Sequence, residues 1–425
     1  MKAIYSYLSK NEMVNIHKET VNYLSCIGLP LPSKQSGALL LELGAKIKSN
    51  RAYFSKKHIK DTLEKVQINM SLEDNSPAMA LVKSDKKLFT NYGNAAYVHH
   101  KENETFCKVT TRDTKNLIKI VNYLDNMDYL SLPIIDGESQ RKISLDMALS
   151  LSKKPILTPV ITEKDGDNVI DTQKTQQVIA LCLQPYQLNI EQELLHILIN
   201  LISHNQQVVI PLQLPVHWLS IPLDKLILLG NIGNILNCMI AVAINKDYHF
   251  IYCGYDKSGY FPTAIYQNGN FNLSLLLAAQ CQMANYYGFP SSMWVNDLRE
   301  RNFETHSGCL EYVCYHSASA MTMGDMFSWP GQDEHPQCYS LENIVLDCEI
   351  LTNALAYDRT FKADKKALST DIINEIGPDS HYIFTNATRE DAYKDLWIQD
   401  IKNSYILKNE NYLNATIEKV KQVLA

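Results

Sequence analysis

Hydrophobic and polar positions follow two different rhythms along the chain, and the rhythm changes near Asp128. Before that point helical periodicity dominates: MVNIHKETVNYLSCIGLPLP predicts an amphipathic helix that ends at Gly28 and Pro30. The next pattern predicts a helix, a turn, a short strand around AYF and a further helix, followed over 67–113 by short strands joined by polar turns. TTRDTKNLIKIVNYLDNM then predicts a helix with Thr111 or Asp113 as its cap.

After Asp128, short apolar runs alternate with helix-length segments. The apolar runs are YLSLPII, KKPILTPVI, VIALCLQP, QQVVIPLQLP, YHFIYCGYD, GFPSSMWVN and AMTMGDMFSW. These seven strand–helix units predict parallel strands with right-handed crossovers, and the eighth unit of a complete barrel is not evident. A closed barrel and an open doubly wound sheet both fit. The barrel is favoured because no strand leads into a glycine-rich phosphate turn.

The predicted architecture is therefore an α/β chain built around a (β/α)8 barrel of the TIM type. We expect an N-terminal subdomain of helices and short strands over 1–125 and the barrel core over 126–355. A C-terminal helical extension over 356–425 is expected to pack back on the barrel.

Composition and charge narrow the class of protein. A net charge of -6 and an isoelectric point near 6.1 provide no basic field for nucleic acid. The N-terminus lacks the apolar core of a secretory signal, and no apolar run of membrane-spanning length is evident, so no membrane association is expected. Ten cysteines without framework spacing are typical of reduced thiols. The expected location is the cytoplasm.

THSGCLEYVCYH, residues 305–316, raises the question of a metal site. The segment predicts a helix on which His306, Cys309 and His316 share a face, but the two histidines lie roughly 15 Å apart along the axis. One zinc ion requires ligands within about 2.0–2.3 Å of itself. A packed helix is the better interpretation, and no metal is expected in this chain.

Four segments, taken in order, resemble the trimethylamine methyltransferase family, whose members are corrinoid-dependent (β/α)8 enzymes. The first segment is IHKETVNYLSCIGLPLPSKQSGALLLELGAKIKSNRAYFSKKHIKDTLEKV, which is similar to the opening helices of the family. YGNAAYVHH resembles the strand that follows, YSLENIVLDCEI a late helix, and DIINEIGPDSHYIFTNATRE the closing segment. The resemblance covers nearly the whole chain and implies the barrel fold.

The resemblance also implies a reaction and a partner. Members of the family move a methyl group from an amine nitrogen to the cobalt(I) of a corrinoid (cobalamin) on a separate small protein. Trimethylamine-specific members are thought to use pyrrolysine, which does not occur in this sequence. A quaternary ammonium needs no activation because it leaves as a neutral amine. We therefore expect a betaine-like quaternary amine as substrate, a corrinoid protein as partner and a corrinoid-dependent amine methyltransferase as the enzyme class.

A quaternary ammonium donates no hydrogen bond and is recognised by aromatic faces. Barrel enzymes build their sites at the carboxyl ends of the strands. Tyr252, Tyr255, Trp294, Phe327 and Trp329 are the aromatic candidates at predicted strand ends.

Polar groups complete the expected substrate site. Asp325, in the same predicted strand end as Phe327, could attract the ammonium. His99 could bind the substrate carboxylate; it shares a strand face with Tyr97, which is also expected to contact substrate. No catalytic residue is assigned.

Two loops depart from the family pattern and leave alternatives open. Small residues and glycine are expected in two loops at the catalytic face. That pattern is missing from the loop 211–222, within PLQLPVHWLSIPL, and from the segment 295–303. A non-catalytic relative that binds a ligand or docks a corrinoid protein is the main alternative. A zinc-dependent methyltransferase for methanol or a thiol is a weaker one, since Cys253 has no evident ligand partners. Symmetric oligomers, common among related barrels, are expected.

Overall fold

The structure is a computed structural model of the whole chain. It describes residues 5–71, 86–93, 95–173, 177–182, 188, 190–212, 222–254, 259–260, 265–266, 271–294, 320–333, 337–355, 374 and 412–425.

The N-terminal helices form where the sequence predicts them. Helix α1 (Lys10–Asn22) begins at an N-cap, Ser9, whose side chain forms a capping box with Glu12. It passes into a π-helical turn, Tyr23–Ile27, and ends at Gly28, whose φ of 75° suits glycine. The elements that follow are β1 (Leu29–Pro30), α2 (Lys34–Glu42), β2 (Lys46–Lys48), β3 (Arg51–Tyr53) and α3 (Lys56–Ser71). This part of the prediction is confirmed.

Strands and helices alternate through most of the remaining chain. The first elements are β4 (Leu88–Thr90), β5 (Tyr97–His100), β6 (Thr105–Lys108), α4 (Thr111–Tyr123), β7 (Leu130–Ser131), α5 (Glu138–Leu151), β8 (Ile156–Pro159), α6 (Glu163–Asp171), β9 (Val178–Leu181), α7 (Gln192–Ser203) and β10 (Val208–Val209). They are followed by α8 (Leu223–Ile244), β11 (Tyr252–Cys253), β12 (Gly259–Tyr260), β13 (Ile265–Tyr266), α9 (Phe271–Tyr287), β14 (Ser291–Trp294), β15 (Met326–Ser328), β16 (Cys338–Tyr339), α10 (Leu341–Leu355) and α11 (Tyr412–Leu424).

The cap of α4 differs slightly from the prediction. Thr110 is the N-cap, and its side chain accepts a hydrogen bond from the backbone of Asp113. Asp113 in turn accepts from the Thr110 backbone, so it completes the capping box rather than capping the helix itself.

Two four-stranded parallel sheets form the centre of the fold. Their strand orders are β10-β9-β8-β7 and β11-β14-β15-β4. An isolated parallel bridge between Thr90 and Tyr129 links β4 to the start of β7. The expected α/β fold with parallel strands is thus confirmed. The eighth unit, unassigned from the sequence, is β4 with helix α4, upstream of residue 126.

Residues on the two faces of these strands belong to two separate apolar clusters. We call the smaller one the interior cluster; all eight parallel strands, or the residues next to them, contribute to it. It consists of Leu88, Tyr129, Leu157, Ile179, Leu181, Val209, Ile251, Cys253, Trp294 and Met326. Intervening residues such as Phe89, Leu130, Met293 and Phe327 lie in the larger cluster shared with the helices, here called the helix-facing core. Both faces of the parallel strands are therefore buried.

A small mixed sheet lies beside the parallel strands. Its order is β16-β5-β6, with β16 parallel and β6 antiparallel to β5. The backbone N–H of Ile134, just after β7, donates to the carbonyl of Ala95, just before β5, at 2.9 Å. The N–H of Tyr92 donates to the carbonyl of Pro330, beyond β15, at 2.6 Å. These bonds hold the small sheet near the carboxyl ends of β7 and β15.

Helix α8 corrects one expectation from the sequence. Leu223–Ile244 is long and apolar enough to cross a membrane, with a window of mean hydropathy 1.9, the one such helix among the described residues. Yet 78% of that window is buried inside the protein. Such burial is typical of a core helix.

The C-terminal helix α11 packs against α4 and α10. Lys119 of α4 donates to the carbonyl of Leu424 at 2.7 Å. Lys421 pairs with Glu102 at 3.1 Å. The end of the chain therefore returns to the strand–helix core, while the predicted domain boundaries at 125 and 355 stay predictions.

Candidate functional site

Parallel strands all end at one edge, and the side chains that follow them converge there. We call this edge the carboxyl-end face. The candidate residues lie at the ends of β4, β7, β14 and β15 and in the small sheet. Several predictions lie outside the described residues: those on Tyr255, on most of the loop 211–222, on the loop 295–303, on the helix 305–316 and on nearly all of the closing segment.

Asn91 joins the two parallel sheets at this face. Its Nδ2 donates to the carbonyl of Ser131 at 2.8 Å, and its Oδ1 accepts from the N–H of Ser131 at 2.9 Å. The side chain thus takes the place of backbone pairing just beyond the single Thr90–Tyr129 bridge. Asn91 is fully buried, so both the oxygen and the nitrogen of its side-chain amide need these partners.

Trp294, Ser328 and Thr90 form a row across three neighbouring strands. Trp294 pairs in register with Ser328, and Ser328 with Thr90. Each lies two residues after a member of the interior cluster or belongs to it, so by strand alternation all three face the same side. The row spans roughly 10 Å, two strand spacings. We call it the inner row.

The hydrogen bonds of the inner row fix the direction of its donors. Thr90 Oγ1 donates to the Asn91 carbonyl at 3.3 Å, and Ser328 Oγ donates to the same oxygen at 3.4 Å. The indole N–H of Trp294 donates to Ser292 Oγ at 2.9 Å. The polar hydrogen of each of the three side chains is therefore used in a hydrogen bond within the protein.

Ser131 lies on the adjacent strand β7, two residues after Tyr129 of the interior cluster. Its Oγ is buried and has no hydrogen-bond partner in the described part of the chain. A Cβ built on Gly93 would overlap this hydroxyl, so glycine at 93 is what leaves room for it. A buried hydroxyl without a partner is a polar group that a ligand or water could satisfy.

His99 lies in a buried charged cluster instead of an open pocket. Its Nδ1 is 2.5 Å from Asp333 Oδ2, and its Nε2 is 3.3 Å from Glu104 Oε2. Lys101 also pairs with Asp333, at 3.0 Å. Burial alone would raise the pKa of Asp333, but the hydrogen bond from His99 and the Lys101 ammonium lower it to about 2. The ion pairs of this cluster thus link β5 to the segment beyond β15.

Tyr97 shares the strand face of His99, as predicted, and is 41% exposed. Phe106 of β6 lies opposite His99, stacks on the imidazole with ring centroids 3.8 Å apart, and is equally exposed. Two aromatic rings are therefore accessible at the edge of the carboxyl-end face. Phe106 was not expected from the sequence.

Tyr252 takes a different position from the one expected. It belongs to the helix-facing core, while its neighbour Cys253 belongs to the interior cluster. Its hydroxyl donates to Asn231 Oδ1 at 3.3 Å, and Asn231 Nδ2 donates to Thr20 and Tyr287 at 2.8 and 3.0 Å. The described contacts of Tyr252 therefore attach β11 to α8, α1 and α9.

Phe327 and Trp329 also lie in the helix-facing core, fully buried. Phe327 stacks on Phe89 at 5.6 Å between ring centroids, and Trp329 meets Phe89 edge-on at 6.5 Å. Strand alternation explains the difference: Met326 and Ser328 occupy the interior side, so the residues between and after them face the helices. Of the aromatic candidates that the structure describes at the strand ends, Trp294 is the one in the interior cluster.

Asp325 lies at the opposite edge of the sheet from the expected one. It precedes the first residue of β15, and its Oδ2 accepts from the N–H and the hydroxyl of Ser291, at the start of β14, at 2.7 and 2.8 Å. Burial raises the pKa of Asp325, and the bonds from Ser291 oppose that rise. The carboxylate thus joins the amino ends of two strands.

The described residues contain no group of three His, Cys, Asp or Glu side chains that could hold a metal ion. Cys253 faces the interior and accepts a hydrogen bond from the N–H of Ile210 at 3.3 Å. Burial raises the pKa of its thiol to about 12, so it is protonated at neutral pH and is a poor metal ligand in this state.

Fold and site together define the class: a parallel-strand α/β protein with an apolar interior, a carboxyl-end face of aromatic and hydroxyl groups, and helices outside. The family model "Trimethylamine methyltransferase (MTTB)" matches residues 2–178. The resemblance to this family predicted from the sequence is confirmed.

The chain is also similar to individual known proteins. The chain is 19% identical over 410 residues, 92% of this chain and 86% of the relative, to a glycine betaine methyltransferase of Desulfitobacterium hafniense (strain Y51). It is 23% identical over 129 residues, 30% of this chain and 26% of the relative, to the trimethylamine methyltransferase MttB of D. hafniense (strain DSM 10664 / DCB-2). Among solved structures, the monomethylamine methyltransferase MtmB of Methanosarcina barkeri gives a TM-score of 0.49 at 9% identity, covering 97% of this chain and 92% of that one.

Several residues of the face were missed by sequence reasoning: Asn91, Ser131, Ser328 and Asp333. Thr90 ends β4 and Asn91 directly follows it, so the signal existed in LFTNYG. A strand of three residues is too short for its hydrophobic pattern to assign it to the parallel set.

Proposed function

We propose that this chain is a methyltransferase that moves a methyl group from a betaine-like quaternary amine to the cobalt(I) of a corrinoid carried by a separate protein. The observation that carries the proposal is the similarity to a glycine betaine methyltransferase along 92% of the chain. The corrinoid is the methyl acceptor, and so it is a second substrate of this chain, carried by the partner protein.

In this reaction the chain has to bind and align the substrate, and it does not have to supply an acid. A quaternary ammonium is already positively charged, so its amine departs neutral and needs no acid. The protein must hold the N–CH₃ bond in line with the acceptor and exclude water. The buried apolar floor of the interior cluster and the protonated state of Cys253 are consistent with a site that excludes water and supplies no thiolate nucleophile.

We also propose that the eight parallel strands close into a (β/α)8 barrel, the fold expected from the sequence. The interior cluster draws on every one of the strands or their flanks. Between β10 and β11, Ile210 N–H bonds Cys253, and Val208 N–H donates to Tyr248 at 2.8 Å. These bonds support an approach of the two remaining edges. In a closed barrel the carboxyl-end face becomes a single mouth.

Several expectations from the sequence accompany this proposal. The chain would work in the cytoplasm, as an oligomer of identical subunits, without nucleic acid or a membrane. At the mouth, Trp294 and the exposed Tyr97 are the candidates for substrate contact.

The test is an absorbance assay for methylcobalt formation. The purified chain is mixed with a reduced cobalt(I) corrinoid protein and one of glycine betaine, proline betaine, carnitine, choline or trimethylamine. We expect methylcobalt with one quaternary amine and none with trimethylamine or without the chain. Silence across the panel with a competent corrinoid protein would favour the non-catalytic alternative.

A further inference from the structure

We propose that Ser328 and Thr90, beside the indole of Trp294, form the wall that receives the methylated, positively charged head of the substrate. The inference rests on the function proposed above and deepens it, because it assigns the end of the substrate that this wall binds. Neither hydroxyl was expected from the sequence. Both lie at strand ends, in register with Trp294.

The orientation of the two hydroxyl groups carries the argument. Both donate to one carbonyl oxygen, that of Asn91. Because both hydroxyl hydrogens point to the Asn91 carbonyl, the oxygen lone pairs point in other directions. The inner row lies on the side of the strands that carries the interior cluster. The indole N–H of Trp294 is likewise committed, to Ser292. The inner row therefore offers acceptors and an aromatic ring, and it offers no free hydrogen-bond donor from these three side chains.

Such a surface suits a quaternary ammonium and does not suit a carboxylate. The methyl groups on a positive nitrogen carry polarised C–H bonds, which make weak contacts with oxygen lone pairs. The same cation is attracted to the face of an indole. At these three side chains, a carboxylate would meet oxygen lone pairs and no hydrogen-bond donor. We therefore assign the inner row to the ammonium head.

Asn91 keeps this arrangement in place. Its backbone carbonyl holds both hydroxyl hydrogens, and its side chain is fixed by Ser131 on the next strand. Ser131 Oγ itself is a buried hydroxyl without a partner in the described structure, on the same side of the strands. An unpaired polar atom next to the inner row is a second, independent indication that a ligand completes this surface.

Binding of three probes tests the inference by calorimetry. Tetramethylammonium represents the head alone, glycine betaine the head with a carboxylate, and 3,3-dimethylbutyrate is the uncharged-head isostere of glycine betaine. The variants are Ser328→Ala and Thr90→Val. Thr158→Val is the matched control: Thr158 is also a buried strand threonine, but its neighbour Leu157 is in the interior cluster, so it faces the helices.

We expect each variant to weaken tetramethylammonium and glycine betaine about two- to fivefold, one weak oxygen contact each. Affinity for 3,3-dimethylbutyrate, measured on the same protein, stays unchanged in both variants, and the control leaves all three affinities unchanged. Circular dichroism verifies that every variant is folded.

Unchanged affinity for tetramethylammonium and glycine betaine in folded variants overturns the inference while leaving the proposed function intact. Equal losses for these two ammonium ligands and for the isostere with an uncharged head overturn it too, since the hydroxyls would then only shape the cavity. A wild-type chain that binds neither ammonium ligand overturns both this inference and the proposed function.

Discussion

His99 Nδ1 and Asp333 Oδ2 lie 2.5 Å apart, although 234 positions separate the two residues in the chain. The pair is buried, and Lys101 also forms an ion pair with the same carboxylate. It joins the small sheet to the segment beyond β15, and so fixes the sheet that carries Tyr97 and Phe106 at the carboxyl-end face. His99 was expected to contact substrate and Asp333 was not expected at the site, and the structure joins the two in one buried ion pair.

Acid should weaken the fold through Asp333. Its folded pKa, about 2, is below the ordinary 3.8, so the carboxylate stabilises the fold above about pH 4 and this contribution is lost as the pH falls toward 2. We expect Asp333→Asn to lower the free energy of unfolding at pH 7 by about 2 kcal/mol and to flatten its dependence between pH 4 and 2. Urea unfolding at a series of pH values measures both.

The control for this experiment is Asp136→Asn. Asp136 also pairs with a lysine, Lys108, but both side chains are largely exposed, so its removal should change little. Equal acid sensitivity in wild type and Asp333→Asn would show that the His99–Asp333 pair does not contribute as described.

Replacement of Asn231 should strongly destabilise the fold. Its side chain bonds Thr20, Tyr252 and Tyr287, which lie on three different elements. Asn231→Ala deprives these buried groups of a partner, and we expect a loss of about 1–3 kcal/mol in unfolding free energy. Asn245→Ala, whose bond to Asn205 is exposed, serves as control. A similar small loss in both variants would argue against a cooperative buried network.

Phe327 should act through packing. It is fully buried against Phe89, so Phe327→Ala removes a core ring and leaves a cavity. We expect about 3–5 kcal/mol of destabilisation in urea unfolding. Leu41→Ala, at a leucine that is 57% exposed, should cost below about 0.5 kcal/mol. A comparably small effect at Phe327 would contradict its place in the helix-facing core.

Gly93 and Ser131 should be coupled. A Cβ at 93 would overlap the Ser131 hydroxyl. Gly93→Ala is therefore expected to lower the unfolding free energy by about 1–3 kcal/mol and, with it, the midpoint of thermal unfolding. Adding Ser131→Gly should recover most of that loss. Gly166→Ala, where the added Cβ meets only ordinary contacts at 3.8–3.9 Å in helix α6, should be neutral or stabilising. Strict additivity of the two changes at 93 and 131 would rule out the steric cause.

Much of the fold was predictable because its signals are local. The helices between Lys10 and Ser71, the alternation after Asp128 and the parallel pairing all follow from hydrophobic periodicity and from caps such as Ser9 and Thr110. Strand β4 was not predictable in this way. It has three residues, and its partner Met326–Ser328 lies far along the chain, so only pairing distinguishes it from a turn-linked hairpin strand.

The candidate site was predictable in part. Residue type and strand end indicate Trp294, and the structure places it in the interior cluster. The same rule indicates Tyr252, Phe327 and Trp329, which lie on the other side of their strands. Both faces of a parallel strand are buried, so alternating apolar residues do not reveal which side faces the interior.

The sequence by itself determined the class of elements, their order and the family resemblance, because periodicity, caps and motif residues act over a few positions or a single segment. Tertiary structure decided which side each strand residue faces, where β15 begins relative to Asp325, and which partners satisfy His99 and Asn91. The physical reason is that register and facing depend on pairing between distant segments. A shift of one residue in a strand exchanges its two faces.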